Sequence, residues 1–420
     1  MPKKQVDLLI RNASELATPH SGSRKPLVGK QMQALEIIKN AALAVNDGRI
    51  VGVGKTSSVT SAFKAAETID ARGKTVIPGF VDPHTHLVFA GSREKEFEIR
   101  LKGASYMEIL REGGGILKTV RETRRATEDE LIHNCQRTLD IMLRHGTTTV
   151  EAKSGYGLTR KDESKCLRAI QQANKSHPVD VVPTFLGAHA IPPEFEENAE
   201  SYVDLIVEEM IPSITKAKLA EFCDVFCEKG AFTVEQSRRI LQAGSKHSLT
   251  PKMHADELTP YGGAELAAEM RAISAEHLLC SSEAGLKMMS KCGVIALLLP
   301  TASFTLMTQR YADARRMIDL NLPIALGTDF NPSCWTESQQ LVIAMACRQL
   351  KLTPAEALTA STLNAAHAVN RAGDIGSLEE GKNADALILD VPNHSFLGYR
   401  FGTNLVSKVV KDGKLVVDGE

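Results

Sequence analysis

The sequence predicts a (β/α)8 barrel with a small β-sandwich beside it, the sandwich being built from both ends of the chain. Three observations carry this prediction. From about residue 80 to 371, apolar strand-like runs alternate with amphipathic helical stretches, which is the pattern of parallel βα units. Eight such runs fall within about 250 residues, the size of one barrel. Outside this region the chain changes to short strands with Gly-containing turns, and its two ends share that character. The expected division is 1–77 plus 372–420 for the composite sandwich and 78–371 for the barrel. A doubly wound open sheet is the structural alternative, but it does not explain why polar residues recur at the C-terminal ends of so many strands.

Taken in order, residues 6–12 read as a strand, followed by a polar stretch over about 13–33. Ala41–Val45 and Arg49–Gly54 flank Asn46-Asp47-Gly48, a hairpin signal. Lys74–Ile77 is β-rich and stops at Pro78-Gly79, after which Phe80 and Val81 resume as the first barrel strand. Thr127 to Glu130 is a capping box, and its helix runs to about His145. The remaining barrel strands are read at Thr147–Glu151, Val179–Leu186, Phe222–Cys227, Thr250–His254, Ser274–His277, Val294–Leu299 and Pro323–Leu326. Ala384–Leu389, Leu405–Val410 and Leu415–Val417 close the chain as strands.

With 50 Lys+Arg against 51 Asp+Glu in 420 residues, nothing suggests a nucleic-acid partner. No apolar run is long enough to cross a membrane, and the N-terminus lacks a signal-peptide core, so a cytoplasmic location is expected. The eight cysteines are scattered without a framework spacing and read as free thiols. Cys223 and Cys227, spaced as a C-x3-C pair in an apolar strand, read as core thiols and not as a zinc site.

Active sites of such barrels lie at the C-terminal ends of the strands. His84 and His86, two apart at the end of the first strand, can point the same way. Later strand ends supply Glu151 and Lys153, His189, Glu228, His254 with Asp256 and Glu257 behind it, His277, and Asp329 with Asn331. A hydrolytic Zn or Fe site needs three or four N/O ligands and an open position for water, whose pKa falls towards ~7 on the metal. His84, His86, His254 and Asp329 form such a set. Glu257, three residues past His254, can face the same cavity, whereas Asp256 reads better as a helix-start carboxylate.

These motifs resemble the amidohydrolase superfamily. Within it they are most similar to the imidazolonepropionase family, the ring-opening hydrolases of histidine breakdown. The resemblance spans essentially the whole chain. It is carried by Pro78–His86 and the following Leu87–Phe97, by Glu151–Leu158, Phe185–Pro193, His254–Leu258 and Thr328–Pro332, and by the C-terminal return Gly376–Asp390. It implies one metal, Zn or Fe, held by His84, His86, His254 and Asp329. Glu257 is implied as the base handling the attacking water, with His277 beside it, and a homodimer is the family-level expectation. The implied substrate is 4-imidazolone-5-propanoate, opened to N-formimidoyl-L-glutamate.

A guanidinium grips a carboxylate as a fork, so Arg93 suits the propanoate. Tyr106 and Tyr156 offer hydroxyls, and His189 can bond the ring carbonyl or its oxyanion. Asn331 matches the family's Asn-Pro-Gly-(Ser/Thr) pattern after the metal-site Asp, but Ser333 and Cys334 depart from it. Both are carried over as substrate contacts, with the Cys334 thiol a poorer donor than a hydroxyl. Gly113-Gly114-Gly115 lacks the rest of a phosphate loop and reads as a mobile loop over the pocket. Lys153 reads as a structural group and not as a carbamylated bridge between two metals. The competing readings are another mononuclear amidohydrolase (a heterocycle deaminase, a cyclic amidase or a dipeptidase) and a silent scaffold or metal store of the same fold.

Overall fold

A computed structural model describes residues 3–20, 25–103 and 114–419 of the chain. The chain opens with β1 (Lys4–Pro19), β2 (Leu35–Asn46), β3 (Arg49–Lys55), β4 (Phe63–Asp70) and β5 (Thr75–Pro78). It then passes through β6 (Phe80–Asp82), β7 (Thr147–Lys153), β8 (Asp180–Ala188), β9 (Phe222–Cys227), β10 (Thr250–Ala255), β11 (Ser274–His277), β12 (Ile295–Leu298) and β13 (Ile324–Leu326), with helices between. It ends with β14 (Ala386–Leu389), β15 (Val406–Lys411) and β16 (Lys414–Asp418).

Strands β6 to β13 pair in sequential order as one parallel eight-stranded sheet. Its two edge strands form no ladder with each other; a side chain and the site itself bridge the seam between them. Gln339 Nε2 donates to the carbonyls of Val81 and Leu326, each at 3.2 Å. Just past the strand ends, His86 N donates to Phe330 O (2.8 Å) and Asp329 N to His84 O (3.2 Å). Closing the barrel and bringing the first-strand histidines to the last-strand aspartate are therefore one event.

The other strands form a mixed eight-stranded sheet in the order β16-β15-β14-β5-β1-β2-β3, with β4 on β1. It curls around its own core, because Leu43 and Val45 of β2 share a cluster with Ile388 and Val410 of β14 and β15. Alternation along β14 divides the work: Ala386 and Ile388 enter that core, while Leu387 and Leu389 join the barrel's. Gly79 carries the chain from one sheet to the other. A Cβ there would lie 2.2 Å from Thr148 Oγ1, so only glycine lets the chain pass β7 this closely.

The hairpin is as expected, with Asp47 (φ 49°) and Gly48 (φ 73°) in the left-handed conformation that a two-residue turn requires. The capping box at Thr127 also forms, Glu130 N donating to Thr127 Oγ1 at 3.2 Å. The polar stretch expected from residue 13 is corrected. After an irregularity between Ile10 and Ala13, β1 continues to Pro19. That irregularity breaks the two-residue period, and Glu15 reads as exposed although its carboxylate lies inside the sheet between Lys39 Nζ and His394 Nδ1, 2.6 Å from each.

All eight cysteines are free, and Cys223 and Cys227 are buried in the barrel wall. No helix among the described residues is long and apolar enough to cross a membrane.

Candidate active site

The ends of β6, β10 and β13 bring four donor atoms to one point. His84 Nε2 and His86 Nε2 lie 3.4 and 3.6 Å from Asp329 Oδ1, and His254 Nε2 lies 3.4 Å from His86 Nε2. Donors of a tetrahedral site with ~2.0–2.1 Å bonds stand about 3.3 Å apart, so this set fits a single Zn-sized ion. The bonding state agrees. Both nitrogens of His84, Nδ1 of His86 and Oδ1 of Asp329 are buried without a hydrogen-bond partner. Such atoms are costly unless something fills the gap. Burial pushes His84 and His86 well below the ordinary imidazole range, which leaves them neutral, the form that ligates. Burial also raises Asp329 to about 6 in the absence of a cation.

Asp329 (φ 51°) and His277 (φ 70°) both adopt the left-handed conformation, as does Asp256 (φ 51°). Strain of this kind on non-glycine residues collects at functional sites.

Glu257 faces the same cavity, its Oε1 3.7 Å from His277 Nδ1. Burial lifts its carboxyl to about 7, in the range where a group both takes and returns a proton at neutral pH. Burial also lowers His277 to about 4. Glu228, at the end of β9, holds the loop behind Glu257 by accepting from Leu258 N at 2.8 Å. Asp256 is the helix-start carboxylate expected: it accepts from the N–H groups of Tyr261, Gly263 and Ala264.

Around the cluster lies a cavity of about 1150 Å³, lined by His86, Arg93, Tyr156, His189, Glu257 and Ser333 among others. Arg93 is held on two sides, Nε donating to Thr119 Oγ1 (2.9 Å) and Nη1 to Ser333 Oγ (2.8 Å). Ser333 thus touches the guanidinium directly, a contact that glycine lacks. Cys334 turns inward, its thiol donating to Thr328 O at 3.6 Å. Asn331 organises this loop: Oδ1 accepts from the N–H groups of Ser333 and Cys334, and Nδ2 donates to Asp329 O. Its side chain is spent on shape.

Tyr156 is buried beside the rings of His86 and His189, at centroid distances of 5.8 and 5.2 Å. Its loop is wrapped around Glu163, whose carboxylate accepts from the N–H groups of Gly155, Gly157 and Leu158. His189 stacks on His86 at 4.7 Å, and its Nδ1 lies 3.0 Å from Gly155 O. A carbonyl only accepts, so the proton sits on Nδ1, and burial keeps the ring neutral by lowering it to about 3. Nε2 is left as an acceptor. In this tautomer Nε2 can accept from an N–H of a bound ligand, whereas the sequence reading gave His189 a donor's role at the ring carbonyl or oxyanion. Tyr106 and Gly113 lie outside the described residues.

Of the layer beneath the cluster, the sequence reading named Glu151 and Lys153 but passed over Asp224 and Glu276. Lys153 Nζ lies 2.8 Å from both Glu151 Oε1 and Asp224 Oδ2, and Asp224 Oδ2 lies 3.0 Å from His254 Nδ1. Glu276 Oε2 stands 3.8 and 3.7 Å from the Nδ1 atoms of His84 and His254. Burial opposes the charge on Lys153, but its carboxylate neighbours Asp224 and Glu151 prevail and favour the ammonium over the neutral amine that carbamylation needs. The available signal was an acid at position 224 amid the apolar residues of Phe222–Cys227.

A family model described as "Amidohydrolase family" matches residues 75–416. Curated relatives named imidazolonepropionase include one from Alkaliphilus metalliredigens (52% identical, covering 98% of each chain) and one from Geobacillus thermodenitrificans (53%, 98% of each). Among solved structures, an adenosine deaminase from Xanthomonas campestris with bound zinc superposes with a TM-score of 0.72 at 20% identity, over 99% of this chain and 94% of that one. A 5-methylcytosine deaminase from Klebsiella pneumoniae gives 0.73 at 17%, over 98% of each. At these identities the deaminases speak for the fold alone. Strand order, family model and full-length relatives agree, and the chain belongs to the amidohydrolase family and, within it, to the imidazolonepropionases.

Proposed function

We propose that this chain hydrolyses 4-imidazolone-5-propanoate to N-formimidoyl-L-glutamate in histidine degradation. The observation that carries the reading is the convergence of four ligand atoms in a cavity that also presents Glu257 and a tethered Arg93. His84, His86, His254 and Asp329 hold one Zn or Fe ion, which supplies the Lewis acidity that makes water nucleophilic at neutral pH. Arg93 grips the propanoate, with Ser333 and Thr119 fixing the guanidinium. His189 accepts the ring N–H, and Tyr156 packs beside it. Asn331 and Cys334 complete the described lining of the pocket.

Glu257 takes a proton from the attacking water as its oxygen bonds to the ring carbonyl carbon. When the carbon–nitrogen bond breaks, Glu257 returns that proton to the leaving nitrogen, and His277 steadies the carboxyl between the two transfers. A cytoplasmic homodimer is the setting we assign to it.

An assay on freshly made imidazolone propanoate, following loss of its ultraviolet absorbance, tests the reading against a panel of cyclic amides and amino-heterocycles. Turnover of the imidazolone far above the panel supports it. Ammonia release from an amino-heterocycle with no imidazolone turnover replaces it with a deaminase.

A further inference from the structure

The layer beneath the cluster has no part in the chemistry above, yet it touches two of the groups that hold the metal. We propose that Asp224 is a positioning residue of the metal site: it fixes His254 with its proton on Nδ1, so that Nε2 faces the cavity. The proposal rests on the metal-site reading of His254.

Three groups converge on this carboxylate, one by a hydrogen bond and two by close contact with an oxygen that has no other partner. Val225 N donates to Oδ1 at 2.7 Å, and Lys153 Nζ and His254 Nδ1 stand 2.8 and 3.0 Å from Oδ2. All three side chains are buried: Asp224 and Lys153 have no exposed surface and His254 is 3% exposed. An anion 3.0 Å from Nδ1 draws the imidazole proton to that nitrogen and leaves the Nε2 lone pair free for a metal. Carboxylates behind ligand histidines act in this way, setting tautomer and ring orientation.

Lys153 in turn prevents Asp224 from turning away. Its ammonium sits between Glu151 and Asp224, so the carboxylate has a fixed cation on one side and the imidazole on the other. The same ammonium answers a second question. Asp224, His254 and Glu276 bring ligand atoms within 4.8 Å of one another and resemble a second cation site. The positive charge already beside Asp224 takes the place of a second metal, which keeps the site mononuclear.

No neutral side chain can replace this carboxylate. In Asp224→Asn the amide NH2 must face either the Lys153 ammonium and the His254 N–H or the Val225 N–H, so donor meets donor in both orientations. Lys153 keeps Glu151 as its counter-charge, and the barrel wall is unaltered in volume.

The test is zinc affinity, measured by competition with a chromophoric chelator on the full-length protein. The wild-type chain binding one zinc supports the metal-site reading itself, and its failure to bind overturns that reading. Relative to the wild type, folded Asp224→Asn is expected to lose ~10–100-fold in zinc affinity, with KM unchanged at saturating zinc. Equal affinity in the two proteins overturns the positioning role alone. Should the variant not fold, nitrogen-15 NMR of histidine-labelled, zinc-loaded wild type decides. A slowly exchanging Nδ1–H on His254, identified by its loss in His254→Gln, supports the proposal, and an Nε2–H tautomer there overturns it.

Discussion

Two regions of the chain bury charge and treat it in opposite ways. In the terminal sheet, Glu15 is enclosed but fully answered by Lys39 and His394 at 2.6 Å each. Burial alone would push its carboxyl up; the hydrogen bonds with His394 and Lys39 prevail and hold it at about 2. At the mouth of the barrel, burial wins. Asp329 rises to about 6 and Glu257 to about 7, His277 falls to about 4, and Asp329 Oδ1 and both nitrogens of His84 have no hydrogen-bond partner. A satisfied buried charge specifies structure. An unsatisfied cluster lining a cavity stores a cost that a metal and a substrate relieve on binding. The two regions show that burial alone does not mark function; at the barrel mouth several unpartnered atoms converge on one cavity.

The sharpest way to break this contrast is to remove the metal. Chelation is expected to abolish activity, with recovery on adding Zn or Fe back. The melting temperature should also fall, since an ion present at ~1,000 times its Kd stabilises by about 4 kcal/mol. Activity that survives complete demetallation would place the cluster with the sheet, as structure only.

Next in size, Glu257→Gln should keep one metal per chain and lose ~10²–10⁴ in kcat. Near-full activity would remove Glu257 from the proton path. Arg93→Ala should raise KM by ~10–100-fold for the carboxylate-bearing substrate, the worth of a charged hydrogen bond, with a smaller change in kcat. An unchanged KM would assign the propanoate to another group.

For the sheet the expectation is reversed. Glu15→Gln should cost about 1–3 kcal/mol of stability at neutral pH, the range for hydrogen bonds to a charged group, read by urea denaturation, and leave kcat and KM alone. The pH dependence has a definite sign. The folded carboxyl lies below its ordinary 4.5, so its stabilisation is present above that pH and fades as pH falls towards about 2. Stability that is flat across this window would contradict the pairing. The smallest effect is expected at Cys334. Its thiol already turns to Thr328 O, as a hydroxyl would, so Cys334→Ser should change kcat/KM less than about threefold.

Local pattern made most of the framework legible. The strand and helix alternation, the Asp47-Gly48 turn and the Thr127 capping box are interactions between residues a few positions apart, and they can be read along the chain. The long β1 was not legible, because the irregularity at Ile10 to Ala13 breaks the two-residue period and the charge of Glu15 is answered by residues 24 and 379 positions away. Asp224 was hidden in the same way, its partners lying on β7 and β10. The contact of His189 Nδ1 with Gly155 O is likewise one that no spacing reveals.

What the sequence by itself determined was the supply of chemistry: which strand ends carry imidazoles and carboxylates, and that one arginine follows them at position 93. What only the tertiary structure decided was which of those groups lack a partner. Partnership is a property of distances across the barrel and through its wall, set by the seam where Thr85 meets Phe330 and by the ammonium of Lys153 beneath. Those contacts join residues that are near neighbours only after the chain has closed.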